Sequence, residues 1–408
     1  MIIIVANTSF PSNNAMSLRI GREAEILSKN DEVTVVCRRE KHQNSKESIS
    51  LEGKEINVER FDLNYVDPKS PYYVPFFSEA FRAIRTFFAL FFVIAPLLRK
   101  NNDARIHAVN SPETIPLSCY LTTMIFGGKA FVARFDDLGP ELSGEAKGIS
   151  ENSLIIKINK SIEGFICNKY ERIISYSDGI TEQLIKRNKI GRDKITTLMM
   201  TPRKIKRSTQ SASIKSVKDK KPFLLAYTGT LQNYGFILKG FNDLFFSLQR
   251  VKEKGKEFTL IIAGEGNAKK HLMNLSKEFG LEENVLFKGE LNEKEIDSLL
   301  LGTDATVIPL PCSSHMLHTF PTKILKYLAF GKVIIAPNYG EFSRHFNNKE
   351  NAVLYNERSK LDLSNRLIEV MEDKNLRKKI EKNSLKLFET KFNQTEMEER
   401  LRKIYSIN

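Results

Sequence analysis

The sequence has no tryptophan, four cysteines and six histidines among its 408 residues. Cys37, Cys119, Cys167 and Cys312 are scattered, with no CxxC pair, which argues against a disulfide framework and suits a reducing cytosol. Cys312, His315 and His318 stand at a C-x2-H-x2-H spacing, but a fourth ligand is not evident. Residues of a binding loop explain that spacing as well as zinc does, so no metal is assigned. Long apolar runs are also lacking. The longest, TFFALFFVIAPLL at 86–98, falls short of the about 20 residues that cross a bilayer and contains Pro96. The start, MIIIVANTSF, has no basic leader and reads as a first strand and not as a signal peptide. Acidic residues are in deficit: 49 Asp and Glu against 63 Lys and Arg, a net charge of +14. That surplus favours anionic partners, whether phosphorylated small molecules, nucleic acid or an acidic membrane surface.

What the chain has is alternation. Short apolar runs at 2–6, 33–37, 105–109, 129–135 and 172–177 are separated by helical stretches, including 17–29 and 152–171. Such alternation predicts a parallel sheet covered on both faces. Residues 202–222, PRKIKRSTQSASIKSVKDKKP, are basic and nearly free of large apolar groups, the composition of a linker. Alternation resumes at 223–230, 258–266, 284–290, 305–310 and 332–337, and the tail from about 361 is helical by period. The expected architecture is α/β: two doubly wound Rossmann-like domains facing across a cleft. Residues 1–200 are expected as the first domain, 201–222 as a basic linker and 223–385 as the second domain. Residues 386–408 are expected as a C-terminal helix that packs back on the first domain.

In doubly wound sheets ligands bind beyond the carboxyl ends of the strands. There the second half carries Gly229-Thr230 and Gly264-Glu265-Gly266, and glycine lets a ligand approach the backbone. The stretch FPTKILKYLAFGKVIIAPNYGE at 320–341 predicts a helix with Pro321 in its first turn and Thr319 as cap. Ile324, Leu325, Leu328 and Ala329 form its inward stripe, and Gly331 ends it. Free N–H groups near 321–323 attract an anion, Lys323 adds a full charge there, and Lys326 is expected one turn on, on the same side.

The order of these motifs resembles the family 4 glycosyltransferases of the GT-B fold. The similarity rests on PTKILKYLAFGKVIIAPNYGE, with AYTGTL, IIAGEG, VLFKGEL and DATVIPLP before it, and it extends to FPSNNAMSLRIGREAE, RIHAVNSPETIPL, FVARFDDLGPE and IISYSDGITEQL in the first half. The resemblance implies a cytoplasmic, metal-independent, retaining transferase of surface polysaccharide or glycolipid assembly. It would use a UDP- or GDP-linked sugar as co-substrate, no cofactor, and a glycan or polyprenyl-linked acceptor. By the same resemblance Lys323 contacts the diphosphate, and His318, Thr319, Phe320 and Thr322 line the sugar and phosphate pocket. Gly229, Thr230, Gly264, Glu265, Gly266, Lys288, Gly289 and Lys326 line the rest of the donor site. Asp136 orients or deprotonates the acceptor, and Asn13, Asn14, Arg134 and Asp137 contact it.

The sequence departs from the family at defined places. The paired glutamates, eight positions apart, are His318 and Lys326 here. An ammonium only donates hydrogen bonds, so Lys326 does not accept them from ribose hydroxyls as the glutamate does. Asn13 and Asn14 replace two glycines. Two further readings therefore stand beside an active transferase: a GT-B-like partner subunit or carbohydrate-binding protein that has lost transfer, and a nucleic-acid-directed protein. Against the last, the lysines are spread along the chain and no nucleic-acid-binding signature occurs. The Phe- and Arg-rich segment 76–100 is either a buried helix or a basic apolar surface making peripheral membrane contact.

Overall fold

A computed structural model describes the chain except residues 13, 42, 52, 63–74, 111–113, 200–221, 233–234 and 406–408. The basic linker expected at 201–222 falls almost wholly outside the described residues, as does Asn13. The chain divides into two units, Met1–Met200 with Glu398–Asn408, and Thr201–Met397.

The first unit holds an eight-stranded sheet in the order β3-β4-β2-β1-β5-β6-β7-β8. Its elements are β1 (Ile2–Val5), α1 (Ala15–Leu27), β2 (Val33–Arg38), β3 (Lys46–Leu51), β4 (Lys54–Phe61), α2 (Pro75–Lys100) and β5 (Arg105–Val109). After them come α3 (Thr114–Phe126), β6 (Lys129–Phe135), α4 (Gly139–Lys147), α5 (Leu154–Lys169), β7 (Arg172–Ser175), α6 (Asp178–Asn188) and β8 (Ile195–Thr197). β1 lies at the centre, parallel to β2 with Ile2 opposite Val33 and to β5 with Ile2 opposite Arg105. Ile2, Ile3, Ile4 and Val5 are fully buried because helices cover both faces. Among the described residues only the β3–β4 pair is antiparallel. That hairpin has no counterpart among the sequence expectations: β3 is an edge strand with alternate residues exposed, and its run of charged and serine residues carries little apolar signal.

Connections through α2, α3, α5 and α6 all step across the sheet in one direction, whereas β1-α1-β2 steps the other way. Right-handed crossovers then place α2, α3 and α5 on one face and α1 on the opposite one. α2 and α3 pack side by side, with the Phe91 and Phe126 rings 5.3 Å apart. α3 meets α5 through Tyr120 and Phe165, 5.4 Å apart.

The second unit has a six-stranded, wholly parallel sheet in the order β11-β10-β9-β12-β13-β14. Its elements are β9 (Phe223–Thr228), α7 (Gly235–Glu253), β10 (Phe258–Ala263), α8 (Lys269–Glu278), β11 (Val285–Gly289), α9 (Glu293–Gly302) and β12 (Ala305–Val307). They continue with α10 (Lys323–Ala329), β13 (Val333–Pro337), α11 (Gly340–His345), β14 (Val353–Tyr355), α12 (Lys360–Glu372) and α13 (Lys374–Lys391). Strand order reverses between β9 and β12, so the loops after those two strands flank the crevice where such sheets bind ligands. β13 is buried at every position, as its apolar sequence requires.

The last helix, α14 (Gln394–Ile404), contributes its residues from Glu398 onward to the first unit. Arg22 donates to Glu398 at 2.7 Å, and the Tyr405 hydroxyl lies 2.9 Å from His107 Nδ1. Arg105 stacks over the Tyr405 ring at 5.2 Å and donates to its carbonyl at 3.1 Å.

Candidate active site

In the second unit the loops after β9 and β12 converge on α10. Tyr327 of α10 is fully buried; its hydroxyl accepts the Thr228 N–H at 2.8 Å and lies 3.0 Å from the Thr228 hydroxyl. That pair pins the helix to the end of β9. Four residues earlier, on the same face, Lys323 Nζ stands 3.9 Å from the centre of the Tyr227 ring. Gly229 makes room for it: at φ 144° it adopts a conformation few side chains tolerate, and a Cβ there would lie 2.3 Å from Lys323 Nζ. A Cβ on Gly264, at the end of β10, would meet the Gly229 carbonyl oxygen at 1.9 Å. Glycine at both places is therefore a packing requirement of this corner.

Lys323 keeps some surface as a residue, yet its ammonium end is shielded by the ring and the backbone. Loss of water lowers its pKa to about 7. Among the described residues no carboxylate pairs with it. A tyrosine ring returns about 2 kcal/mol to a desolvated cation, whereas withdrawing an ammonium from water costs several kcal/mol. An anion placed against Nζ would relieve the imbalance.

Lys326 is placed otherwise than its spacing suggests. It turns towards α9, where Nζ lies 2.7 Å from Asp297 Oδ1 and 4.0 Å from Glu293 Oε1. The reason is helical pitch: three residues advance about 300° and four about 400°, so Tyr327 shares the face of Lys323 and Lys326 falls to one side. The helix also starts later than its proline implies, at Lys323, with Thr322 as an N-cap that makes no side-chain bond. Thr319 does not cap it; its hydroxyl donates back to the His315 carbonyl at 3.1 Å. The N–H groups of Ile324 and Leu325 are taken by the carbonyls of Pro321 and Thr322, so the terminus closes as a tight turn. The inward stripe holds: Ile324, Leu325 and Leu328 are fully buried, each stabilising by about 1.5–3 kcal/mol. Gly331, at φ 61°, ends the helix in the left-handed conformation.

A second polar cluster sits in the first unit, at the carboxyl ends of β1, β5 and β6. Arg134 and Asp136 leave β6 and meet Arg19 and Glu23 from α1. Arg134 Nε donates to Asp136 at 2.8 Å, Arg19 pairs with the same carboxylate, and Arg134 also binds Glu23. Burial alone would raise the Asp136 pKa, but the guanidinium groups of Arg19 and Arg134 outweigh it and hold it down at about 2. A carboxylate so firmly ionised is a poor proton acceptor. That weighs against the deprotonating role expected of Asp136 and is consistent with the orienting one. Burial lowers His107 beside it to about 4, so that ring is neutral. Asn7 Oδ1, both amide atoms of Asn110 and the Tyr176 hydroxyl are buried without a hydrogen-bond partner among the described residues. Asn7 and Asn110 follow β1 and β5, the two strands between which this sheet reverses its order.

Solved structures bear on both units. The chain is similar to sucrose-phosphate synthase from Thermosynechococcus elongatus, with 14% identity over 99% of this chain and 98% of that one, at a TM-score of 0.76. It resembles HepE of Anabaena in complex with UDP-glucose, with 15% identity over 99% of each chain and a TM-score of 0.70. WaaG, a glycosyltransferase involved in lipopolysaccharide biosynthesis, gives 13% identity over 99% of each chain and a TM-score of 0.69. At such identities the likeness carries the fold, GT-B, with a Rossmann-like sheet in each unit. No curated protein matches by sequence. The family "Glycosyl transferases group 1" matches residues 208–387. Residues 208–387 are a group 1 glycosyltransferase domain.

Within the group 1 domain the residues expected around the donor separate into two groups. Gly229, Thr230, Gly264, Glu265, Gly266, Lys288 and Gly289 lie at the ends of β9, β10 and β11, with Gly229 N–H bonded to the Ala263 carbonyl and Gly264 N–H to that of Gly289. Glu265 pairs with Lys269 one turn on. Phe320 turns its side chain into the core, stacked 5.9 Å from Phe392 and edge-on to His345 at 4.9 Å, so only its backbone borders the loop. His318 is half-buried, its N–H bonded to the His315 carbonyl at 3.2 Å. Among the described residues no three His, Cys, Asp or Glu side chains gather as a metal would need.

Outside the group 1 domain, Asn14 caps α1, accepting from Ser17 N–H at 2.8 Å and donating to Thr8 and Ser12. Its amide thus holds local structure, while the residue stays exposed. Arg134, 1% exposed, is equally committed, while Asp137 is half-buried beside it. Sequence reasoning missed Arg19, Glu23, Tyr176, Asn7 and Asn110. A signal existed: α1 joins two central strands, yet its inner face carries Arg19, Arg22, Glu23 and Glu25 where aliphatic residues are the rule.

Proposed function

We propose that the chain is a glycosyltransferase that moves a sugar from a UDP- or GDP-linked donor to a glycan or lipid-linked acceptor with retention of configuration. The observation that carries this is Lys323: a shielded ammonium without a carboxylate partner among the described residues, at the strand-order reversal of the group 1 domain. As the nucleoside diphosphate departs, negative charge grows on its phosphate oxygens. Lys323 neutralises that charge where little water competes for it. Gly229, by lacking a side chain, leaves Lys323 Nζ its place at the end of β9. HepE, crystallised with UDP-glucose, supports a nucleotide-sugar donor for a chain of this fold. The acceptor falls to the first unit, where Asn7, Asn110 and Tyr176 offer unsatisfied groups to hydroxyls and Asp136 helps orient them. No cofactor enters this reading, and the Lys323 corner supplies a cation without a metal.

Surface polysaccharide or glycolipid assembly on the cytoplasmic side is the setting we assign, in line with the involvement of WaaG in lipopolysaccharide biosynthesis. Acceptors of that kind are presented at a membrane. The test is donor hydrolysis and transfer across a panel of nucleotide sugars, with Lys323→Ala as control. Turnover of one donor that Lys323→Ala abolishes supports the assignment; no turnover and no thermal stabilisation by any nucleoside diphosphate rejects it. One observation favours the other reading, a GT-B-like partner subunit or carbohydrate-binding protein without transfer. Lys326 is engaged by Asp297 of α9 and presents no acceptor to a ribose. Stabilisation by a free oligosaccharide but by no nucleotide would decide for it.

A further inference from the structure

Helix α2 is apolar on two opposite faces. Leu90, Ile94 and Leu98 are fully buried in the first unit. Phe81, Ile84, Phe88 and Phe92, at spacings of three and four, form a stripe on the other side and are 51–71% exposed in the folded chain. Residues 81–100 are long and apolar enough to cross a membrane by length and composition. The buried face shows why spanning is not the role: it is core, packed on α3 and the sheet. A helix with one face in the core and a second apolar face outward needs another apolar environment for the latter.

That face continues onto its neighbours. Met124 and Ile125 of α3 are 68% and 61% exposed, and Leu154 of α5 is 67% exposed. Ten of the sixteen large apolar side chains exposed among the described residues lie on these three helices, which share one side of the sheet. Across α2, α3 and α5 the sequence carries seven Lys and Arg against two acids, Glu79 and Glu163. No Asp or Glu occurs at 81–100 or 114–126, and Glu163, the single acid of α5, is buried against Arg187. Arg85 lies over the Phe81 ring, Arg99 over Phe126 and Lys169 over Phe165, so cations border the apolar stripe.

We propose that the outer face of α2, α3 and α5 docks on an anionic lipid bilayer, with α2 lying in the plane of the interface. The proposal deepens the membrane-presented acceptor of the proposed function by naming the surface involved. Phenylalanines entering the headgroup boundary, with arginines and lysines beside them, are the chemistry of an interfacial helix. A second copy of this chain fits less well, because docking the face on itself would set cations against cations.

Vesicle flotation tests it, using the full chain with phosphatidylcholine vesicles alone or containing phosphatidylglycerol. The chain should float with the anionic vesicles, less so as salt is raised. The double variant F88S/F92S should reduce binding at least about tenfold, because both apolar side chains would be lost from the interface. R99E/K100E should weaken binding at low salt and flatten its salt dependence. These side chains are exposed, so melting curves should match the wild type. Failure of the wild type to float overturns the proposal, as does binding by F88S/F92S equal to wild type. A concentration-dependent dimer in light scattering that F88S/F92S abolishes also overturns it, assigning the face to a second copy. Thermal shift with UDP-glucose in the absence of lipid reads the donor site separately, so loss of one reading is distinguishable from loss of the other.

Discussion

The Lys323 ammonium lies 3.9 Å above the Tyr227 ring, while Lys326, three residues on, lies 2.7 Å from Asp297. Two lysines that look equivalent in the sequence thus have different neighbours: one faces an aromatic ring and a glycine, the other an acidic helix.

Lys323→Ala should lower donor turnover by about 10²–10³, the size of effect seen when one donor to a developing anion is removed. Lys323→Arg should restore little of it, since the fork of a guanidinium does not fit the space Gly229 leaves. Steady-state kinetics with the best donor checks both, and near-wild-type turnover in Lys323→Ala removes the lysine from the mechanism.

Affinity for a nucleotide sugar should fall as pH rises through about 7. The sign follows from the depressed pKa: below about 7 the ligand-free lysine is a cation, above it neutral, and the diphosphate binds the cation. The loss should approach about tenfold per pH unit and be absent in Lys323→Gln. The stability of the ligand-free protein should move oppositely. Its unfolded state, with an ordinary lysine pKa near 10.5, holds the proton more tightly, so stability rises from about pH 7 to 10.5. Titration calorimetry and melting across that window test the pair of trends.

Lys326→Ala should leave nucleotide affinity within about twofold and stability within about 1 kcal/mol, because its partnership with Asp297 is partly exposed to water. A large loss of nucleotide binding would show that the side chain leaves α9 when the donor arrives.

Gly229→Ala should cut donor affinity more than tenfold and destabilise the chain by about 1–3 kcal/mol, since the added methyl displaces the end of Lys323 and a side chain is strained at φ 144°. Unchanged affinity would mean that the ligand does not need Nζ where it now sits.

Asp136→Asn should destabilise the chain by about 3–5 kcal/mol, as it leaves two buried guanidinium groups short of charge. In the wild type the Asp136 contribution is present above its ordinary pKa of 3.8 and is lost as pH falls towards about 2. Chemical denaturation of both proteins at pH 7 and pH 3 should show their difference shrinking with acid.

Residue order alone carried the alternation of strands and helices, and with it the doubly wound class, because a strand buried on both faces must be continuously apolar. It also marked Gly229, Gly264 and Gly331, where the backbone admits no side chain or only a left-handed turn. The β3–β4 edge hairpin escaped it, since an edge strand needs little apolar sequence, as did the short β14. Tertiary structure alone decided which charges meet. Arg19 and Glu23 are separated from Arg134 and Asp136 by more than a hundred residues, and only the β1-α1 and β6 geometry gathers them into one buried cluster. The two lysines of α10 were distinguished the same way. Local sequence sets the helical phase between them, but what each side chain faces depends on β9 and α9, elements that the fold and not the helix brings alongside.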